Sequence, residues 1–401
     1  MKILVLNLYY PPDTSATARM AAAFLEPLAA KHDVTLICGR PSYDPTGRRA
    51  WRLWQTERRN DLIVIRVGST DYPRTQMRRR VLNYLSYVAL SVPRALFMRC
   101  HVVLAMTDPP FEGIIGAFVA MFKRKPFVYN IRDLYPDMAL GGSIVAPGLL
   151  ARVWEKLHRW ALRRAARVIV LGEDMKARII SKSVDAKRVA IVRDGAEVAP
   201  DFSVPPALDA NVIAAIRSDF RFVLLHAGNL GFYGAWETLL AAAREMEPDG
   251  VGLVFVGDGA QRARLQAAAN GSTNVRFLPF FPANKIASVL AAGDLHVVTI
   301  KRGLEGVVVP SKMYGILAAG RPIVAVAPQQ TDAASLGMRD GFGVAADPDK
   351  PAELVAVVRA LLTDPARLMA MGIAARVAAS QYARVNETRK FVRILEEAIP
   401  S

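Results

Sequence analysis

Residues 295–326 read LHVVTIKRGLEGVVVPSKMYGILAAGRPIVAV. The two ends of this stretch, Leu295–Thr299 and Ile323–Val326, are short apolar runs, and Met313–Ala319 between them has helical spacing. Gly320 stops that helix and Pro322 prevents it from resuming. Strand, helix, strand, with both strands apolar throughout, describes a parallel pair covered by helices on both faces. A sheet with one wet face would alternate apolar with polar residues instead.

The same alternation runs outward from this unit. Strands are expected at Phe222–Ala227, Leu253–Val256 and Val275–Phe277, with helices at Trp236–Met246, Gln261–Ala269, Lys285–Ala292, Glu353–Leu362, Leu368–Ala378 and Glu387–Ala398. Nearer the N-terminus, apolar runs at Ile3–Leu8, Val34–Cys38, Leu62–Val67, Val102–Ala105, Phe127–Asn130, Val168–Leu171 and Val189–Val192 are separated by helical patterns. Those patterns cover Arg19–Lys31, Val81–Met98, Ile114–Phe122, Leu149–Arg164 and Asp174–Ser181. Ala199–Pro206, APDFSVPP, holds three prolines and no period, which marks a linker. The expected architecture is therefore α/β: two doubly wound domains in tandem, residues 1–200 and 201–380, with ligand at the carboxyl ends of the strands.

Composition sets the class. With 52% hydrophobic and 22% charged residues in 401, the chain can bury two cores and is not disordered. Two cysteines, Cys38 and Cys100, exclude a disulfide framework and point to a reducing compartment. The opening MKILVLNLYYPPD is too short an apolar run for a secretory signal and reads as a first strand. No run of about 18 apolar residues suggests a membrane span, so a cytosolic protein, or one on the cytosolic face of a membrane, is expected. The net charge of +16 is lopsided: residues 1–200 carry +15 and the remainder +1. Such polarity implies that one domain faces an anionic surface. Arg78, Arg79 and Arg80, with Arg74 before them, lead into the apolar Val81–Met98 and make an anionic membrane the expected partner there. That helix either lies in the interface or covers the first sheet; the sequence leaves both open. Nucleic acid is not expected, because the cations are not interleaved with aromatics in a reading motif.

Several chemistries are absent. No GxxxxGK[ST] loop, HExxH or CxxC occurs, and Gly257-Asp258-Gly259 has Arg262 where a dinucleotide fingerprint needs its third glycine. The five histidines, His226 among them, show no ligand spacing and read as packed or capping groups. Asp347-Pro348-Asp349 precedes a helical run and reads as a helix cap, not a metal site. What remains are loops at strand ends. Tyr9–Thr17 brings Ser15 and Thr17 to a helix N-terminus, suited to a hydroxylated or anionic ligand. Asn130–Asp137 gathers Arg132, Asp133, Tyr135 and Asp137. Gly228-Asn229-Leu230-Gly231 follows the first strand of the second half. Lys301–Lys312 leads into Pro310-Ser311-Lys312, where a helix N-terminus and a cation would receive a phosphate. A serine at that position also serves as a plain cap, but Lys312 beside Lys301 and Arg302 needs another reason.

These loops resemble those of a retaining glycosyltransferase of the GT-B fold, in the glycogen-synthase-like family four and the branch typified by bacterial fucosamine transferases. Tyr9-Tyr10-Pro11-Pro12, Lys31–Thr35, Arg132–Asp137, Asp194–Glu197, Gly228–Gly231 with Glu237–Leu240, Phe255–Gly259 and Pro310–Pro322 carry the likeness. Each is weak alone; their order along the whole chain is specific. The resemblance implies two Rossmann-like domains facing a central cleft, with a last helix, within 381–401, packing back on the first. It implies a nucleotide-sugar donor, a UDP-linked N-acetylamino sugar, held by Gly228, Asn229, Gly257, Lys301, Pro310, Ser311, Lys312 and Gly315. Glu305 would face the donor sugar, and Ser15, Thr17 and Arg132 the acceptor. Asp133 would orient the acceptor or handle a proton; alternatively it is a carboxylate paired with Arg132. The acceptor implied is a lipid-diphosphate-linked glycan of bacterial surface polysaccharide, reached from the cytosolic face of the inner membrane. No metal or other cofactor is implied, since helix dipoles and cations can neutralise the diphosphate.

The departures are specific. The family carries a pair of glutamates ahead of the helix-stop glycine; here Gly315 occupies the second position and Glu305 is out of register for the first. The usual cation after the first strand of the second domain is missing from Asn229–Gly234, which leaves Lys312, with Lys301 or Arg302, to supply the charge. A sugar-nucleotide 2-epimerase and a non-catalytic partner subunit of the same fold are the competing readings.

Overall fold

A computed structural model describes residues 1–41, 51–72, 77–142, 144–198 and 207–399; the side chain of Arg78, the residue Arg74 and the expected linker lie outside the described residues. The first of two units comprises Met1–Leu171, Lys176–Val192 and Glu387–Ser401. Its strands are β1 (Lys2–Leu6), β2 (Asp33–Cys38), β3 (Trp54–Arg59), β4 (Leu62–Val67), β5 (Val102–Ala105), β6 (Phe127–Asn130), β7 (Arg167–Val170) and β8 (Val189–Ile191). They lie in the order β3-β4-β2-β1-β5-β6-β7-β8, parallel except for β3 against β4. The central strands are apolar because helices cover both faces. These helices are α1 (Ala16–Ala29), α2 (Met77–Phe97), α3 (Glu112–Lys123), α4 (Asp137–Gly141), α5 (Leu149–Arg164) and α6 (Glu173–Ser181), the last beginning in residues that group with the second unit.

The second unit, Gly172–Met175 with Arg193–Asn386, is built on β9 (Phe222–Ala227), β10 (Val251–Val256), β11 (Val275–Leu278), β12 (Leu295–Thr299), β13 (Ile323–Val326) and β14 (Gly343–Ala346). All are parallel, in the order β11-β10-β9-β12-β13-β14. Its helices are α7 (Ala210–Arg217), α8 (Trp236–Glu245), α9 (Arg262–Ala268), α10 (Ile286–Ala292), α11 (Lys312–Ala318), α12 (Asp332–Arg339), α13 (Pro351–Leu362) and α14 (Pro365–Gln381). The last helix, α15 (Arg384–Glu397), groups with the first unit from Glu387 onward, where Phe391 meets Phe24 with ring centroids 5.1 Å apart.

The units divide at Val192/Arg193 rather than at residue 200, and Gly172–Met175 group with the second. A buried polar knot accounts for the latter: the Asp332 amide donates to Asp174 (3.1 Å), the Glu173 amide donates to Asp332 (3.0 Å), and Arg193 pairs with Asp332 (3.0 Å). In the first sheet the strand order reverses between β1 and β5, and in the second between β9 and β12. Loops leaving such a pair diverge and open a crevice at the strand carboxyl ends, which fixes where each unit can hold a ligand.

Candidate functional site

In the second unit the crevice forms around β9. His226, next to last in that strand, is fully buried, with its ring edge-on to Trp236 (centroids 4.9 Å) and tilted to Phe255 (5.9 Å). The Lys312 ammonium, arriving from the start of α11, lies 2.7 Å from His226 Nδ1 and donates to it. Burial pulls the Lys312 pKa down to about 7. Burial first, and then the Lys312 charge, hold His226 well below the usual imidazole range, so the imidazole is the neutral acceptor.

Backbone contacts knit the surrounding loops together. A Cβ on Gly228 would lie 3.7 Å from Lys312 Cδ, so the lysine stem runs past that glycine. A Cβ on Gly257 would fall 2.0 Å from the Gly228 carbonyl oxygen, and its φ of +146° is one that side chains rarely adopt. The Leu230 amide donates to the Asp258 carbonyl (2.9 Å), the Lys301 amide to the Tyr233 carbonyl (2.7 Å), and the Tyr233 hydroxyl to the Asn229 carbonyl (2.8 Å). Gly228, Asn229, Gly257, Lys301 and Lys312 therefore share one rim. Pro310 is buried beneath it, while Ser311 and Gly315 face solvent on α11 and Glu305 accepts from the Gly303 amide (3.0 Å). Arg262, in place of a third glycine, donates to the Leu278 carbonyl (3.0 Å) and to the Gly257 carbonyl, bracing the loop.

Three expectations need correction here. Ser311 does not cap α11: its side chain makes no capping bond, and the helix is seven residues long. What positions the cation is His226, which the sequence gave no ligand spacing to single out. Arg302 does not supply charge to the rim, because Asp347 (2.8 Å) and Asp349 (2.5 Å) hold its guanidinium. The Asp347–Asp349 pair therefore serves an ion pair rather than a helix cap; Lys350 precedes α13 without a side-chain capping bond.

The first unit has its own cluster at the ends of β1, β5 and β6. Ser15 caps α1, accepting from the Ala18 amide (3.1 Å), and the Ser15 amide donates to Asp13 (3.1 Å). Thr17 donates to Asp108, on the loop after β5. Burial raises the Asp108 pKa, against Thr17 and the charges of Arg80 and Arg132. The hydroxyls expected to meet an acceptor thus hold the helix and Asp108, and Asp108 is the carboxylate the sequence reading missed. Its signal was its place: the loop after β5 lies across the order reversal from Tyr9–Thr17. Arg132 is buried, its amide donating to Thr107 Oγ1 (2.7 Å). Half-buried Asp133 lies near Tyr135, whose hydroxyl pKa burial and then the Asp133 charge push upward. Asp137 turns away to Lys182 (2.8 Å) and Arg178 (3.0 Å), a structural pairing.

The arginine run at the start of α2 also divides. Arg80 donates to the Tyr84 hydroxyl (2.8 Å) and the Tyr9 hydroxyl (3.3 Å), so it faces the strand-end cluster rather than a lipid surface. Arg79 is exposed with its guanidinium over the Tyr72 ring at 5.4 Å. Among the described residues no group of three or more His, Cys, Asp or Glu is placed to hold a metal ion, and no helix is long and apolar enough to cross a membrane.

Comparison with known proteins matches both units. Residues 15–195 fit the family model described as a glycosyl transferase 4-like domain, and residues 221–364 the model described as glycosyl transferases group 1. The chain is 26% identical over 380 residues to WcaI of Escherichia coli K12, named as a colanic acid biosynthesis glycosyl transferase, covering 91% of this chain and 93% of that one. It is 30% identical over 346 residues to the 2-deoxystreptamine glucosyltransferase of Streptomyces kanamyceticus, covering 79% and 84%. Among solved structures, HepE of Anabaena in complex with UDP-glucose superposes with a TM-score of 0.69 at 18% identity over 99% of this chain and all of that one, which shows the shared fold. Two Rossmann-like parallel sheets, each matched by a family model, and a 30% identical relative make the conclusion plain: this chain belongs to the group 1 glycosyltransferases, enzymes of the GT-B fold.

Proposed function

We propose that this glycosyltransferase moves an N-acetylamino sugar from a UDP-sugar onto a lipid-diphosphate-linked glycan, with retention at the anomeric carbon. The setting is assembly of a bacterial surface polysaccharide at the cytosolic face of the inner membrane. The observation that carries the reading is the Lys312–His226 pair at the β9/β12 crevice, inside a rim of glycine backbone. A nucleoside diphosphate seated there would lie against an ammonium that is held partly desolvated and poised near neutrality. As the bond from the anomeric carbon to the diphosphate breaks, negative charge builds on the departing phosphate oxygen, and a preplaced cation stabilises that charge more than the ground state. The acceptor hydroxyl forms the new bond, and with retention its proton passes to that departing oxygen on the same face. No metal is required, because Lys312 and Lys301 provide the positive charge.

In the first unit, Asp108 held by Thr17, with Arg132 and Asp133 nearby, is a set that can bind acceptor hydroxyls. Glu305, whose carboxylate accepts from the Gly303 amide on the rim loop, would meet sugar hydroxyls of the donor. The name of WcaI supports the polysaccharide setting, and the descriptions of the family models support glycosyl transfer. The test is UDP release from a panel of UDP-sugars, with and without a lipid-diphosphate glycan. Release that requires the acceptor, strongest with an N-acetylamino sugar, is expected; acceptor-independent UDP release with an epimeric sugar as product overturns the reading.

A further inference from the structure

α2 is built inside out. A surface helix normally turns its apolar stripe to the core and its polar face to water. In α2 the buried positions include Asn83, Tyr87 and Ser91. Asn83 Oδ1 accepts from the Thr70 hydroxyl (2.8 Å) and the Tyr72 amide (3.0 Å), and the Tyr87 hydroxyl lies 3.0 Å from the Glu112 carboxyl. Outward stand Leu82, Leu85 and Phe97, the last two 57% and 85% exposed. The neighbouring α3 adds Phe122, 66% exposed, which lines one open hollow with Phe97, Arg99 and Lys125. Lys123 ties the two helices by donating to the Leu96 carbonyl (3.0 Å) and the Met98 carbonyl.

The charge of this layer has one sign. Between Met77 and Arg132 the chain holds nine Lys and Arg against two acids, Asp108 and Glu112. Glu112 is fully buried and Asp108 belongs to the strand-end cluster, so neither opposes the outer cations. Apolar side chains facing water along one helix, ending in two exposed aromatics that line one hollow beside cations, fit a surface that is apolar within and anionic at its boundary. We propose that the outer face of α2 and α3 docks this protein on an anionic lipid bilayer, with Leu82, Leu85, Phe97 and Phe122 at the acyl boundary and Arg99 and Lys125 among the phosphates. This deepens the reading of a lipid-linked acceptor and rests on it for its purpose. It also moves the contact from the Arg78–Arg80 run to the far end and outer stripe of α2.

Co-sedimentation of the full chain with vesicles of equal parts phosphatidylcholine and phosphatidylglycerol tests it. Binding is expected there and is weaker on phosphatidylcholine alone. Leu85→Ser/Phe97→Ser/Phe122→Ser should cut vesicle binding by at least about tenfold while leaving UDP affinity unchanged, which also shows that the variant folds. Arg99→Glu/Lys125→Glu should weaken binding and flatten its dependence on salt. A serine variant that binds vesicles as well as the native protein overturns the proposal. So does a native chain that ignores vesicles and instead forms a dimer that Phe97→Ser dissolves. Vesicle binding with no transfer from any UDP-sugar would sink the proposed function and leave this surface standing; transfer to the lipid-diphosphate glycan in detergent solution with no vesicle binding would do the reverse.

Discussion

Lys312 is where charge, burial and geometry converge. On the proposed reading it would make one charge-assisted contact to a diphosphate, on the order of 1.5–3 kcal/mol, so Lys312→Ala should weaken UDP binding by about 10- to 150-fold in calorimetry. Its pKa of about 7 adds a pH dependence with a definite sign. The protonated form binds the anion, and the bound anion raises the pKa. Above neutrality the free protein must therefore take up a proton to bind, and UDP affinity should fall as pH rises, by up to about tenfold per unit. Titrations near about pH 8 in buffers of different ionisation heat should show that uptake, and Lys312→Ala should abolish it. A flat affinity from neutral to alkaline pH would count against the pairing with His226. Lys312 is legible as a candidate because a lysine heads a helix next to a glycine-stopped, motif-like run. His226 is not, since a histidine in an apolar strand has the same local pattern whether it packs or positions a partner. Asp108 escapes for a related reason: its role depends on which strands are neighbours, and sequence order does not show that β5 lies beside β1.

Two glycines of the second unit make opposite predictions at the level of the element. Gly315 sits mid-helix in α11 facing solvent, and a Cβ there would meet nothing closer than Leu290 Cδ1 at 4.0 Å. Gly315→Ala should therefore stabilise the protein by about 0.5–1 kcal/mol, seen as a higher midpoint in urea unfolding. Gly257→Ala would drive its Cβ into the Gly228 carbonyl and pry the β9 and β10 loops apart, lowering both stability and UDP affinity. Equal effects of the two substitutions would mean that the rim is not packed as described. Apolar strands and glycine-stopped helices are legible at this scale because their signals are local. β3, with the sequence WQTERR, is not: it is an antiparallel edge whose side chains are partly or fully exposed, so it lacks the apolar run. A hairpin signal was present nonetheless in Asn60-Asp61, with Asn60 at φ +51°. β14, GVAA, is missed because small residues carry little hydrophobic signal, though the strand pairs in register with β13.

For the whole molecule, the two-sheet architecture follows from the alternation of apolar strands and helices, and the order reversals in each sheet locate the two ligand crevices. The concentration of +15 in residues 1–200 is legible in the sequence; its distribution is not, because Arg80 turns toward the strand-end cluster while the exposed apolar stripe of α2 appears only once the helix is packed. If Lys312 and the backbone rim stabilise the leaving diphosphate without a metal, chelation by EDTA should leave the transfer rate unchanged, and a rate restored only by a divalent cation would contradict this. The most direct test of glycosyl transfer at this site is to follow UDP release and the mass of the lipid-diphosphate acceptor together, for the native protein and Lys312→Ala. The predicted result is one sugar residue added to the lipid for each UDP released, with the rate at subsaturating donor falling sharply in the variant. UDP released while the lipid mass stays constant, or an undiminished rate in Lys312→Ala, would contradict it.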